Sequence, residues 1–296
     1  MKHSIFQKHY HMMLLPGMIL LIVFSVIPMV GIVLAFQDFK MGLGITKSPW
    51  IGLENFKYMF EMKDSRSIFF NTINIAFWKI IANSVVPLIF AILLNEVRKV
   101  AFKRWVQTIV YLPHFLSWVI LSGIIIDLLS LDGVVNNALQ AFGMEPIMFL
   151  GSNSLFPVIV VSSDVWKEFG FNAIIYLAAL TGINMTLYEA AEIDGASWLQ
   201  KLKYVTLPGI APTIVLLGTL SIGNILNAGF DQIFNLYNPL VYESGDIIDT
   251  YVYRVGIVQA QFGLATAVGL MKSVIGLILI VISYRLASRF ANYRIF

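Results

Sequence analysis

Of the chain's 296 residues, 58% are apolar and 12% charged, where soluble globular domains carry roughly 25% charged residues, so most of it is solvated by something other than water. A net charge of +3, with no Lys/Arg block interleaved with aromatics, excludes a nucleic-acid partner. Cys is absent, which excludes a disulfide framework, a thiolate metal site and a Cys nucleophile.

In chain order, the first element is Met12 to Phe36, an uncharged apolar run longer than the ~7 to 15 residues of a signal-peptide core and without an A-x-A-like cleavage site. It is expected to be a retained first span. A spanning helix needs about 20 mostly apolar residues. Five later stretches qualify: Ile68 to Leu94, Val106 to Ser130, Leu155 to Thr181, Ala211 to Phe234 and Leu264 to Ser288. The expected fold is therefore an all-α membrane protein with six transmembrane helices, a single membrane domain over 1–296, and no soluble enzyme domain.

Lys and Arg in the short connections set the orientation. Lys2 and Lys8 precede the first span, and Arg98, Lys99, Lys103 and Arg104 join the second to the third. Lys201 and Lys203 join the fourth to the fifth, and Arg285, Arg289 and Arg294 follow the sixth. On the other side, the third-to-fourth loop has neither residue, and the fifth-to-sixth has Arg254 against Glu243, Asp246 and Asp249. Both termini are expected to be cytoplasmic. The first outer loop, Gln37 to Ser67, is long and mixed in sign and runs weakly against this. Gly245 and Ser197 offer labelling positions on opposite sides.

The fourth-to-fifth loop, Gly182 to Ile210, reads Thr186-Leu-Tyr-Glu189-Ala190-Ala191-Glu192-Ile-Asp194-Gly195, then Val205-Thr-Leu207-Pro208. Thr186 with Glu189 three residues on predicts a capping box and a short helix, which Gly195 would stop by taking the left-handed conformation. Pro208 falls just before the fifth span, where a missing donor is tolerated. Spacing alone equally suits an ordinary amphipathic surface helix. As a whole, however, the segment resembles the EAA loop of binding-protein-dependent ABC importer permeases, departing only at Val205, where many members have Ile. Ile51-Gly-Leu-Glu-Asn-Phe56, Tyr111-Leu-Pro-His-Phe-Leu-Ser-Trp118, Gly229-Phe-Asp-Gln232 and Asn238-Pro239 are similar to the branch that imports oligosaccharides and polysaccharide fragments.

The resemblance implies the type I ABC importer permease fold in the cell membrane. It also implies a second homologous permease subunit, an ATP-binding subunit dimer and an extracytoplasmic solute-binding protein. Glu189, Ala190, Ala191, Glu192, Asp194, Gly195, Leu207 and Pro208 would then couple to the ATPase. No G-x-x-x-x-G-K-[ST] phosphate loop occurs in the chain, so ATP is expected on a separate ATPase subunit, with no cofactor and no catalytic residue here.

A charge at mid-bilayer costs ~2.5 to 3.5 kcal/mol on insertion scales and so faces a cavity or a partner. In the fourth span Asp164, Lys167, Glu168, Phe171 and Asn172 share one helical face, with Trp166 nearby. Sugar hydroxyls need paired donors and acceptors, and the apolar sugar face needs a ring. In maltose-type permeases the spans before and after the EAA loop touch sugar, which implies roles for this stripe and for Ser221, Asn224 and Asn227. The alternative is pairing with the second permease. Lys79 and Lys272 call for structural partners, with Asp127 or Asp231 as candidates for Lys272, and His114 suits packing. No metal site is expected. Sugars of either charge type fit, since Lys167 could serve an acidic oligosaccharide. A competing function, an ion-coupled secondary transporter of a small polar solute, would use Asp164, Lys167 and Glu168 as a relay, although such carriers usually show paired halves.

Overall fold

The computed structural model describes the backbone of residues 2–290 and the side chains of 9–62 and 64–285. Of the basic residues used for orientation, Arg294 lies outside the described residues, as do the side chains of Lys2, Lys8 and Arg289. The chain divides into two units, one of 1–62 with 252–271 and one of 63–251 with 272–296.

In the first unit, α1 (Lys2–Leu21) continues through a π turn, Ile22–Val26, and a 3₁₀ run, Ile27–Phe36. Pro28 has no N–H for the preceding turn, and the helix changes its winding there instead of stopping. Two short helices follow, α2 (Gly44–Lys47) and α3 (Glu54–Glu61). The loop is tied back to the span: Asn55 Nδ2 donates to the carbonyls of Ala35 at 2.9 Å and Gln37 at 3.1 Å, and Phe36 stacks on Trp50 with centroids 5.6 Å apart. Mixed charge in Gln37 to Ser67 therefore belongs to a folded cap and not to a bare linker.

The second unit is built on α4 (Lys63–Asn95). At 33 residues it is about 50 Å long, well beyond the ~30 Å hydrocarbon core. After it come α5 (Val100–Tyr111), α6 (Trp118–Leu129), α7 (Val134–Ala141), α8 (Phe156–Thr181), α9 (Met185–Ile193), α10 (Trp198–Lys201), α11 (Leu207–Gly223) and α12 (Phe230–Leu236). Next in the chain are α13 (Tyr242–Gly245), α14 (Ile248–Tyr253) and α15 (Phe262–Phe290), of which residues 252–271 belong to the first unit. Among the described residues, five helical stretches are long and apolar enough to cross a membrane: His9–Phe36, Asp64–Asn95, Trp118–Ala141, Trp198–Gly223 and Phe262–Arg285. A sixth, α8, passes together with α9 across a 69° bend.

Helix α4 packs along α8, and their shared core comes in two parts. One holds Ile75, Ala76, Phe156, Val160, Ile233 and Ile247; the other holds Ala91, Ile92, Ala173, Tyr176, Leu180 and Ile210. Between them, on both helices, lie Lys79, Asn83, Asp164, Lys167 and Glu168. This interruption of the apolar core by a polar layer positions everything that follows.

Two expected spans are interrupted. The third breaks over a 3₁₀ turn, Leu112–Phe115, because Pro113 cannot donate into a regular helix; Ser117 then caps α6 by accepting from Ile120 N. The fifth ends at Gly223, not Phe234, and Asn224 to Gly229 runs irregularly to α12, with Gly229 at φ 98°.

Candidate translocation and coupling sites

Helix α9 starts two residues earlier than the capping-box reading places it. Its cap is Asn184, whose side chain accepts from Thr186 N at 3.0 Å; Thr186 lies inside the helix. Asx residues compete well for this role because the short side chain reaches the second exposed amide. The capping box is instead at α10, where Ser197 N donates to Gln200 Oε1 at 2.7 Å and Gln200 N to Ser197 Oγ at 3.4 Å. Gly195 does stop α9, with φ 71°: Ala196 N donates to Ala191 O at 2.9 Å and Gly195 N to Glu192 O at 3.0 Å. Leu207 and Pro208 do not belong to a loop. They stand at the start of α11, which α10 enters through a π turn, Leu202–Thr206, and that wide turn accommodates the proline. The connection outside helices spanning the membrane is thus shorter than Gly182 to Ile210.

On α9, Leu187 is 52% and Ile193 87% exposed, with Glu189, Ala190 and Asp194 also outward and Ala191 half-buried. Its other side is clamped. Tyr188 Oη lies 2.9 Å from Thr206 Oγ1, and Lys201 Nζ donates to Glu192 Oε1 at 2.7 Å. That hydrogen bond and the lysine's charge hold the exposed Glu192 carboxyl below the usual glutamate range, with a smaller pull from Arg98. Glu192 is therefore committed within the chain, and Glu189 is the free acid of the pair. Behind the clamp lies a cavity of about 530 Å³ lined by Asn95, Glu96, Arg98, Tyr188 and Trp198.

At the polar layer, a cavity of about 320 Å³ gathers Asp164 and Asn172 of α8 with Ser221 of α11 and Asn224 and Asn227 of the interrupted stretch. Five of the nine residues marked for sugar contact meet here. Lys79 and Asn83 of α4 complete the wall. Asp164 Oδ1 accepts from Lys79 Nζ at 3.0 Å and Oδ2 from Asn83 Nδ2 at 2.8 Å. Asn83 was not singled out from sequence; its place one helical turn beyond Lys79 is the signal that marks it.

The remaining four residues face elsewhere. Trp166 lines an apolar groove of about 670 Å³ with Trp78, Val86 and Phe169. Lys167, Glu168 and Phe171 turn to the break before α6. Lys167 Nζ donates to His114 O at 2.6 Å and lies 5.8 Å from the Trp118 ring, Glu168 Oε2 is 2.7 Å from His114 Nδ1, and Phe171 stacks on the His114 ring. The helical face is real but wide, so α4 and α11 take one edge of it and α5 and α6 the other. Lys272 pairs with Asp249 at 2.6 Å, not with Asp127 or Asp231, since α14 runs closer. Among the described residues no acidic, His or Cys cluster could hold a metal ion.

Residues 83–292 match the model of the family described as binding-protein-dependent transport system inner membrane component. The chain belongs to this family. It is a multi-pass ABC importer permease of the type I fold, as its sequence resemblance implied. The permease is 42% identical over 291 residues to the polygalacturonan/rhamnogalacturonan transport system permease protein YteP of Bacillus subtilis (strain 168), covering 98% of this chain and 91% of that protein. It is 40% identical over 290 residues to protein LplB of the same organism, with the same coverage. A solved bacterial alginate ABC transporter, in complex with its alginate pentasaccharide-bound periplasmic protein, contains a chain that superposes with a TM-score of 0.91 at 36% identity, 99% of each chain being covered.

Proposed function

We propose that the permease forms half of the translocation path for ATP-driven uptake of an acidic oligosaccharide, a uronate-containing fragment. The observation carrying this is the cavity at the polar layer, where Asn83, Asn172, Asn224 and Asn227 converge while its two charges, Lys79 and Asp164, neutralise each other. A path must bind weakly enough to release. Amide groups can donate to carboxylates and hydroxyls alike, whereas an unpaired lysine would trap a polyanion. Relatives whose names and complexes involve polygalacturonan and alginate support the acidic choice over a neutral sugar.

In this reading a binding protein delivers the sugar from outside, a second permease completes the path, and an ATPase dimer receives α9 on its exposed face. Glu189, Ala190, Ala191, Leu187 and Ile193 are the contact residues, while Glu192, Asp194, Gly195, Leu207 and Pro208 shape and carry the helix. ATP is handled by the ATPase, and both termini are cytoplasmic. Trp166 is left outside the path, and Lys167, Glu168 and Phe171 hold the α5–α6 break.

The test is uptake by the assembled importer in proteoliposomes with ATP inside or absent. Oligogalacturonate or oligoalginate should enter with ATP and neutral malto-oligosaccharides should not, and Asn172→Ala with Asn224→Ala should cut uptake by roughly tenfold at unchanged complex yield. Preference for the neutral series would reject the acidic substrate.

A further inference from the structure

The stretch expected as the fifth span, Ala211 to Phe234, is broken after Gly223, and irregular backbone at membrane depth survives only where its polar groups are satisfied within the protein. Several of them close locally. Asn224 N donates to Ser221 O, Ile225 N to Ile222 O, Asn227 N to Asn224 O and Ile233 N to Gly229 O, at 2.8 to 3.2 Å. The carbonyl of Ala228 is served from outside the stretch: Lys79 Nζ, on α4, donates to it at 2.8 Å.

The same ammonium also donates to Asp164 Oδ1 of α8 and to Gln232 Oε1 of α12. Its three protons thus go to three elements, and only one acceptor is a carboxylate. Gln232, fully buried, is itself fixed by donating from Nε2 to Val160 O at 2.7 Å and Ser163 Oγ at 2.8 Å. Gly229 fits this arrangement. At φ 98° it has a conformation that other residues rarely adopt, and a Cβ there would come within 2.7 Å of Lys79 Nζ. An ion pair with Asp164 alone would require neither the glycine nor the carbonyl.

We propose that Lys79 is a positioning residue, a tethered cation that latches the stretch Asn224–Gly229 to α4 and α8 and thereby sets Asn224 and Asn227 on the cavity wall. Unwound backbone carbonyls in broken spans elsewhere hold free cations. Here the cation is covalently part of the neighbouring helix, so the stretch is held without an ion from solution. The proposal rests on the reading of this cavity as the sugar path.

The experiment uses the assembled importer and the absence of native Cys. Asn227→Cys is combined with Lys79→Met/Asp164→Asn, which removes both charges together, or with Gly229→Ala, which keeps both. Labelling by a maleimide is timed without sugar, and uptake is measured in parallel on versions that retain Asn227. Both backgrounds should speed labelling by about fivefold or more, because the stretch opens more often, and should cut uptake by roughly tenfold at a complex yield near that of the parent. Unchanged labelling and uptake in the charge-free double variant would overturn the latch and leave a plain ion pair. If the double variant fails to assemble, Gly229→Ala decides alone, since an unchanged labelling rate there is equally fatal. Faster labelling with undiminished uptake would uphold the latch and reject the cavity as the sugar path.

Discussion

Gly170 brings α8 so close to α5 that any Cβ on it would overlap the carbonyl oxygen of Val110. Gly170→Val should therefore force the two helices apart. Overpacking of this kind costs about 1–3 kcal/mol, so the purified complex should melt several degrees lower. Gly123→Val, in open space on α6, is the control and should melt like the parent. Equal melting of both variants would remove the close approach as a packing constraint.

The clamp on α9 leads to a second expectation. Tyr188→Phe removes one hydrogen bond, worth about 0.5–1.5 kcal/mol, and leaves the exposed face of the helix untouched. With Lys201→Met added, the ATPase should still co-purify while sugar moved per ATP hydrolysed falls severalfold. Loss of co-purification would mean that the clamp shapes the docking face itself.

Gly195→Asp acts on the same helix differently. It asks an L-residue to take φ 71° and adds a charge beside Asp194 at the end of α9. The permease should insert and assemble with its membrane partner but lose the ATPase on purification, and Gly195→Ala should lose less of it. Normal ATPase retention and uptake by the Asp variant would exclude α9 from the docking contact.

Glu192 gives the coupling region a pH signature. Its carboxyl is held below the ordinary range in the folded chain, so its pairing with Lys201 favours the folded arrangement above the unfolded pKa and is lost as pH falls through the folded one. Coupling should thus be flat through neutral pH and decline only on the acid side of the ordinary carboxylate range. Glu192→Gln should show the reduced coupling at every pH, and an unaltered acid limb in that variant would assign the decline to another group.

Orientation can be tested by thiol labelling, but not at every position the sequence offers. Gly245 is buried against the Phe156 ring, which a Cys side chain would strike. Phe142 is 85% exposed just after α7 and serves instead. Phe142→Cys should react with an impermeant maleimide from outside intact cells and Ser197→Cys should not. The reverse pattern would invert the topology.

The contrast between Gly195 and Thr186 shows what the sequence made legible. A helix stop needs only a residue that tolerates positive φ, so Gly195 announces itself; the cap depends on which of two neighbouring polar side chains reaches the free amides, and Asn184 takes it from Thr186. Six apolar runs marked the spans, yet hydropathy is blind to interruptions at Pro113 and Gly229, where backbone geometry changes while composition does not. In α8 the polar face was visible from spacing. Its division between Asp164 with Asn172 and Glu168 with Phe171 depends on which helices lie on either side, a tertiary fact that periodicity within one helix does not carry.

The π turn over Leu202–Thr206 sits between α9 and the part of α11 that reaches the cavity. Each residue of a helix rotates its successor by about 100°, so a widened turn fixes the angular phase of everything after it. Deleting one residue there would leave the hydropathy and length of the span nearly intact. It would nonetheless swing Ser221 and the approach to Asn224 away from α8. In this permease the aim of the cavity wall is written in a turn between α10 and α11, several helical turns away from any residue that would touch a cargo.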